Sequence, residues 1–531
     1  MNKNNYLFFS KSNFLLLITP LISLLYSTYQ AQFHYDWFHA AFVAFGSEAF
    51  LLNKTLFKEI FVPYGFMKTI LHAFILKEFN HNLFAIFIFH SFCYSLGIYI
   101  LSLIILNFTD YKNAIFASII IFLIHPFTQA PWHNYLLFFL FNLFIYLRLI
   151  NKNVYSIIIL PFCIFFSETF FIASILILLF DLFYERFYFQ KKIESIEFIK
   201  KLLLYFIPII LFFSFIFYNN LLSDWVKNAH QAKIALDTHF KTTILQLLIL
   251  RAKEFFIWPI SKFISDPQWF IYFNIILISS FYLIVNIFTE KKSKKEILYI
   301  SFCSIVLLYN LIHSPNIFKF STSSIIGIAT LLFFINKIKD FYLKKIIYTI
   351  FFLLSIIGFE FNKNNTNWFY VYNYQKKEYI NDDHFVSLKN YKWSKETWEY
   401  LKFIDKNSLM FKAKCNIKYA NNLAEDSYVS IILQKNLIFE QVLHYNWIEQ
   451  KNYWSRMTQA LFTHLDPDFS SRLIKHINNN EIIIIAHAEN YPIIKINDNE
   501  IDFSKKMSFL KVPSHEFGND IIIIYPKSCR L

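Results

Sequence analysis

Residues able to do chemistry concentrate between Gln32 and Gly65, where Asp36, His39, Lys58 and Glu59 share one polar stretch. A carboxylate such as Asp36 can take the proton of an attacking hydroxyl, and cations can stabilise a departing phosphate. Together they supply the parts of a group transfer. Lys58, Lys68, Arg251 and Lys319 are the cations placed to hold such a phosphate. Arg251 and Lys319 form the preferred pair: a guanidinium binds phosphate through two parallel hydrogen bonds, and Lys319 precedes a late apolar run. Each cation also has a plainer reading as a side chain snorkelling to a membrane surface. Asp36 likewise has one, as the cap of a helix. Phe38, Phe42, Phe45, Ala49 and Leu52 recur at helical spacing and would lay that helix along a lipid face.

Glu168 lies within a long apolar run, where a carboxylate is either functional or protonated and structural. His34, His39 and His72 have no tight ligand spacing with Asp36, so neither a metal nor another cofactor is expected. Cys93, Cys163 and Cys303 read as core thiols, whereas Cys415 and Cys529 share a polar region where an oxidising compartment permits a disulfide.

A membrane must position these groups. Of 531 residues, 56% are hydrophobic and 68 are Phe, more than a water-facing surface accommodates. Apolar runs recur to Phe359, so residues 1–360 read as a transmembrane domain and 361–531 as a soluble one. About eleven segments are apolar enough to cross. They are Phe14–Tyr26, Phe66–Phe79, Leu83–Leu106, Ala114–Thr128, Tyr135–Ile150, Ser156–Phe180, Leu202–Tyr218, Phe270–Phe288, Ile297–Ile312, Ser321–Ile335 and Ile346–Phe359. A cytoplasmic N-terminus puts the most basic connections, Glu185–Lys201, Lys291–Lys295 and Lys337–Lys345, inside. It leaves loops 29–65 and 219–269 and the C-terminal domain outside. The net charge of +14 is then a positive-inside bias, and no nucleic-acid partner is expected. Thr242–Ile260 reads as an interfacial helix, because Arg251, Lys253 and Glu254 at its centre would each cost about 2.5–3.5 kcal/mol in a span.

In the C-terminal domain, Lys395–Asp405 and Tyr453–Asn478 have helical patterning. Glu481–His487, Ile493–Phe503, Phe509–Val512 and Ile521–Tyr525 read as strands. A small α+β or β-sandwich domain follows, suited to acceptor binding or scaffolding.

Asp36 after the first span, Gly46, the Lys58-Glu59 step and Pro63-Tyr64-Gly65 before the next run resemble the GT-C superfamily of membrane glycosyltransferases. Protein O-mannosyltransferases and lipid A aminoarabinose transferases are examples. The local resemblance covers roughly a tenth of the chain. It implies an all-α polytopic domain of the inner (cytoplasmic) membrane. The implied reaction is inverting transfer of a sugar from a polyprenyl-phosphate donor to an extracytoplasmic glycan, lipid or protein. Asp36 would be the base, and His39, Lys58, Glu59, Lys68, Arg251 and Lys319 would bind substrate. Many relatives carry Asp-Glu where this chain has Asp36-Trp37, so a second acid is missing. The absence of a Trp-Trp-Asp motif disfavours en-bloc transfer to Asn. A lipid-linked sugar transporter is the main alternative, but Gly97, Gly327 and Gly358 are too few for broken-helix packing and no internal repeat is visible. A glycan polymerase or ligase stays open through Arg251.

Overall fold

The computed structural model describes residues 11–33, 46–60, 62, 65–125, 133–150, 153–167, 170–188, 195–229, 244–264, 267–289, 295–311, 317–364, 379–380, 384–424, 427–439, 468–488, 491–496, 499–513 and 520–529. Asp36, His39 and Glu168 lie outside them. So do most of the expected Phe38–Leu52 helix and much of Tyr453–Asn478.

Helix α1 (Ile18–Ala31) is followed by two helices of the first loop, α2 (Gly46–Leu51) and α3 (Phe66–Glu78). Then come α4 (Leu83–Leu106), α5 (Tyr111–Ile124), α6 (His133–Leu149), α7 (Asn153–Phe166), α8 (Phe170–Tyr188), α9 (Ser195–Tyr218) and α10 (Ile244–Ser261). The helical part closes with α11 (Gln268–Thr289), α12 (Lys295–Val306), the single turn α13 (Ile317–Ser321), α14 (Ile328–Lys337) and α15 (Phe341–Asn364). Five helices are long and apolar enough to cross a membrane: Phe14–Ala31, Leu83–Leu106, Ile199–Tyr218, Gln268–Val285 and Phe341–Phe361. Six shorter apolar helices accompany them, Tyr111–Ile124, His133–Leu149, Ser156–Phe166, Phe170–Leu182, Glu296–Tyr309 and Ser324–Lys337. The chain is a polytopic helical membrane protein with a small C-terminal sheet region.

Contacts divide the chain into two compact units. The first is Met1–Ala31, Phe87–Phe215 and Ile244–Phe369, and the second is Gln32–Ile86, Ile216–Thr243 and Tyr370–Leu531.

Side-chain pairs fix which helix ends lie together in the first unit. At one end Tyr26, Phe122 and Phe359 pack their rings, and the Tyr272 hydroxyl donates to the Ile124 carbonyl at 3.3 Å. There Gly358 lies so close to Gln268 that a Cβ would come within 2.4 Å of its amide nitrogen. At the other end Tyr348 bonds Asn113, and Arg148 pairs with Asp181 at 2.5 Å. Lys201 lies 3.6 Å from the same carboxylate, with Asp181 and Lys201 almost fully buried. Helix α6 therefore ends where α8 ends and α9 begins. Because α7 starts at that end too, α7 and α8 are an antiparallel hairpin.

The expected single span Ser156–Phe180 is thus two helices, the first ending at Phe166 and the second beginning at Phe170. The expected span Phe66–Phe79 is corrected in the opposite sense. Helix α3 has 13 residues, buries Lys68 and His72, and belongs to the second unit. Dividing one expected span and removing another reverses the direction expected for α4 to α6.

In the second unit, Asn228 clamps the first-loop backbone, accepting from Val62 N at 3.0 Å and donating to Val62 O at 2.9 Å. The C-terminal part begins with a short pair, β1 (Tyr379–Ile380) and β2 (Trp393–Ser394). Helix α16 (Lys395–Cys415) follows, capped by Ser394 and ended by Asn416 in the left-handed conformation that Asn tolerates. Then come β3 (Tyr419–Asn422), α17 (Ser427–Asn436), β4 (Ile438–Phe439), α18 (Phe469–Asn478), β5 (Ile482–His487), the hairpin β6 (Ile493–Ile496) with β7 (Asn499–Asp502), β8 (Met507–Lys511) and β9 (Ile521–Pro526). The five-stranded sheet has order β4-β3-β5-β9-β8, parallel across β4-β3-β5 and antiparallel beyond.

Of the two expected architectures, α+β holds and the sandwich does not. Every residue of β5 is buried, as in a strand covered on both faces, and its α18 face packs Leu473 and Phe469 on Ile482, Ile484 and Ile522. Cys415 and Cys529 are joined, with Cα atoms 5.4 Å apart, while Cys93, Cys163 and Cys303 are buried and free.

If α7 and α8 form a hairpin, reporter fusions at Asn107 and Ile150 should report the same compartment as one at Lys201. Simple alternation of the sequence-defined spans puts both in the opposite compartment, and that outcome would refute the hairpin.

Candidate functional site

Arg251 and Lys319 are remote in sequence and neighbours in the first unit. Helix α10 packs its C-terminal half on the start of α11, with Trp258 against Trp269 (ring centroids 4.9 Å apart) and Phe255 against Phe273 (5.7 Å). Three charges on 18 residues keep it out of the set of helices apolar enough to span. Ile249, Phe256, Ile257 and Ile260 leave it exposed and apolar on one side. Arg251 and Glu254, one turn apart, pair at 2.5 Å on a half-buried face.

The single turn α13 is wedged into the bundle by the rings either side of Lys319. Phe320 is fully buried against Tyr272 (4.2 Å) and Trp269, and Phe318 against Tyr135 (5.2 Å). A polar chain anchors the same turn: His125 lies 2.9 Å from the Ser321 hydroxyl and 3.1 Å from the Tyr135 hydroxyl, and it stacks on Tyr94. Ser323 donates back to the Lys319 carbonyl at 2.5 Å. Lys319 therefore has little freedom to withdraw. Burial pushes its ammonium down to about 8, and repulsion from the Arg251 guanidinium adds to the shift. Two cations near enough to act on each other have the chemistry to receive a compact anion such as a phosphate.

The other expected site residues lie in the second unit. Glu59 serves its own loop, accepting from Thr55 N at 2.8 Å and pairing with exposed Lys54 at 3.1 Å. Burial works against its charge, but the bonds from Thr55 and Lys54 prevail and hold it below the usual carboxylate range. Lys58 is exposed, and Lys68 is buried in α3. Sequence reasoning paired Arg251 with Lys319, and the two lie in one unit with the guanidinium acting on the ammonium. It missed the aromatic and hydroxyl supports, Trp258, Trp269, Tyr272, His125 and Ser321, because none has a motif spacing. It also missed Glu48 and His81, which bond at 2.7 Å in the second unit.

The fold is a polytopic helical part followed by a sheet-containing C-terminal part. Among solved structures, the chain is similar to ArnT from Cupriavidus metallidurans bound to undecaprenyl phosphate. The TM-score is 0.56 and the identity 8%, over 97% of this chain and 98% of that one. The apo state of that protein aligns over the same shares with a TM-score of 0.44 and 9% identity. No protein-family model matches the sequence, and no curated protein does.

If both cations hold a phosphate, affinity should depend on Lys319 keeping its proton. The ammonium is charged below about 8 and neutral above it. Binding of an alkyl monophosphate should therefore weaken by about tenfold between pH ~7 and ~9.5. Lys319→Arg should flatten that loss, since a guanidinium stays charged throughout. A pH-independent affinity in the unmodified protein would remove Lys319 from the site.

Proposed function

We propose that this chain is a membrane glycosyltransferase that moves a sugar from a polyprenyl-phosphate donor to an extracytoplasmic acceptor. The observation that carries the reading is the Arg251–Lys319 pair, two cations near enough to act on each other, carried on elements braced by the Trp258–Trp269 and Tyr272–Phe320 contacts. The undecaprenyl phosphate bound to a protein of similar fold agrees with it.

In the proposed reaction the acceptor hydroxyl gives its proton to Asp36 as its oxygen attacks the anomeric carbon. The bond from that carbon to the phosphate oxygen breaks, and the electron pair leaves with the phosphate. Charge thus grows where Arg251 and Lys319 stand. Attack opposite the leaving group inverts the anomeric configuration. His39, Lys58, Glu59 and Lys68 are assigned to substrate binding. The N-terminus would be cytoplasmic and the C-terminal region outside. The Cys415–Cys529 bridge supports that orientation, because such bonds persist in oxidising compartments.

Asp36→Asn keeps the side chain's shape and capping ability but removes the basic oxygen. Transfer from a pool of polyprenyl-phosphate sugars in membranes should fall by at least about a hundredfold, with expression unchanged. Undiminished transfer by Asp36→Asn would exclude it as the base. Inactivity of the native protein with every such donor would defeat the transferase reading.

A further inference from the structure

In the second unit a carboxylate and an imidazole are arranged as orienter and working group. Glu48, in α2, is bonded through Oε2 to Nδ1 of His81 at 2.7 Å. The two differ sharply in access: the Glu48 side chain is 13% exposed and that of His81 50%. An ordinary surface ion pair exposes both partners. The second carboxylate oxygen, Oε1, is buried and accepts no hydrogen bond from the described residues, so among them the pair is not explained by local satisfaction of its polar atoms. The backbone holds His81 unusually too. Asn80 and His81 are consecutive non-glycine residues in the left-handed region, with φ of 52° and 61°. Such outliers persist where the surroundings over-determine them, and they cluster at functional sites.

The tautomer follows from the geometry. An ionised carboxylate can only accept, so the neutral ring must carry its proton on Nδ1 and donate it to Glu48. The lone pair is then on Nε2, on the exposed side of the ring. The C-terminal part frames this pair: the Lys435 ammonium donates to Ser387 Oγ at 3.0 Å and lies within the fields of Glu48 and Asp405. Asp405 in turn holds Asn436 at 2.8 Å and His384 at 3.1 Å. Helix α2 is thus tied electrostatically to α16 and α17.

We propose that Glu48 and His81 form an acceptor-binding dyad, in which His81 Nε2 accepts a hydrogen bond from a hydroxyl of a glycan acceptor. The proposal rests on the transferase reading above and supplies a role for a second acid in the loop that lacks one beside Asp36. Glu48 acts as a positioning residue, fixing the ring and its tautomer.

The test uses the full-length protein in lipid nanodiscs with 13Cε1-labelled histidine. Methyl α-glucopyranoside and methyl α-galactopyranoside serve as probes, and n-propanol as the single-hydroxyl control. The His81 resonance is identified by its loss in His81→Asn, a substitution suited to the left-handed backbone. At least one glycoside should shift that resonance saturably, with a dissociation constant on the order of millimolar, and propanol should not. Glu48→Gln frees the tautomer and should weaken binding by about tenfold. No saturable shift with either glycoside, an equal shift with propanol, or unchanged binding in Glu48→Gln would each overturn the proposal. Undecaprenyl phosphate binding, compared in the native protein and an Arg251→Ala, Lys319→Ala variant, tests the transferase reading separately. Its failure and that of the dyad are therefore distinguishable.

Discussion

An ionised side chain at the centre of a bilayer costs about 2.5–3.5 kcal/mol on insertion scales, and the arrangement of the helical bundle follows from avoiding that cost. The buried charges of the first unit sit at its two ends. Asp181 is almost fully buried, yet it faces both Arg148 and Lys201, so three helices are drawn together by one carboxylate. Removing one member of such a group leaves a buried charge uncompensated, which is far more damaging than never having built the pair. The α7–α8 hairpin follows from this constraint, since Asp181 can meet Arg148 only if α8 returns to the end from which α7 set out.

The opposite end obeys the constraint differently. Arg251 has Glu254 one turn away, and Lys319 sits on a turn whose neighbours Phe318 and Phe320 are buried, close enough to Arg251 for the guanidinium to disfavour its charge. The bundle meets this strain with rigid supports: Trp258 on Trp269, Tyr272 on Phe320, and His125 bridging Ser321 and Tyr135. In the proposed role such support would matter, because cations already held in place leave little reorganisation to oppose the binding of an anion.

The second unit shows why a soluble tail accompanies such a bundle. Its sheet has a fully buried central strand, β5, covered on both faces, and a disulfide joins the turn after the last strand to the end of α16. The same part also holds two residues of the Gln32–Gly65 stretch: Lys392 N donates to the Gln32 carbonyl at 2.7 Å, and Glu48 acts on Lys435. Both described residues are thereby tied to positions hundreds of residues away.

How much of this was legible in the sequence differs from element to element. Hydropathy is a property of each segment alone, so the apolar runs, the soluble tail and the exclusion of α10 from the spans could be read directly. Arg251 and Lys319 were legible for the same reason, as charges that lipid would not tolerate and a phosphate would. Transfer free energy carries no direction, however. It could not show that Ser156–Phe180 folds back on itself, because only the meeting of Asp181 with Arg148 and Lys201 decides that. Nor could it show that Phe66–Glu78 packs in the second unit with the C-terminal part. Strand β3, Tyr-Ala-Asn-Asn, has almost no β-branched signal and exists because β4 and β5 pair with it. Glu48 and His81 looked ordinary for a like reason: an orienting carboxylate and its imidazole are defined by a 2.7 Å approach, and sequence spacing across a turn and a helix does not encode one. The sequence by itself determined which segments are apolar and which charges need partners. The tertiary structure alone decided which partners those charges found, because that choice depends on contacts between segments far apart in the chain.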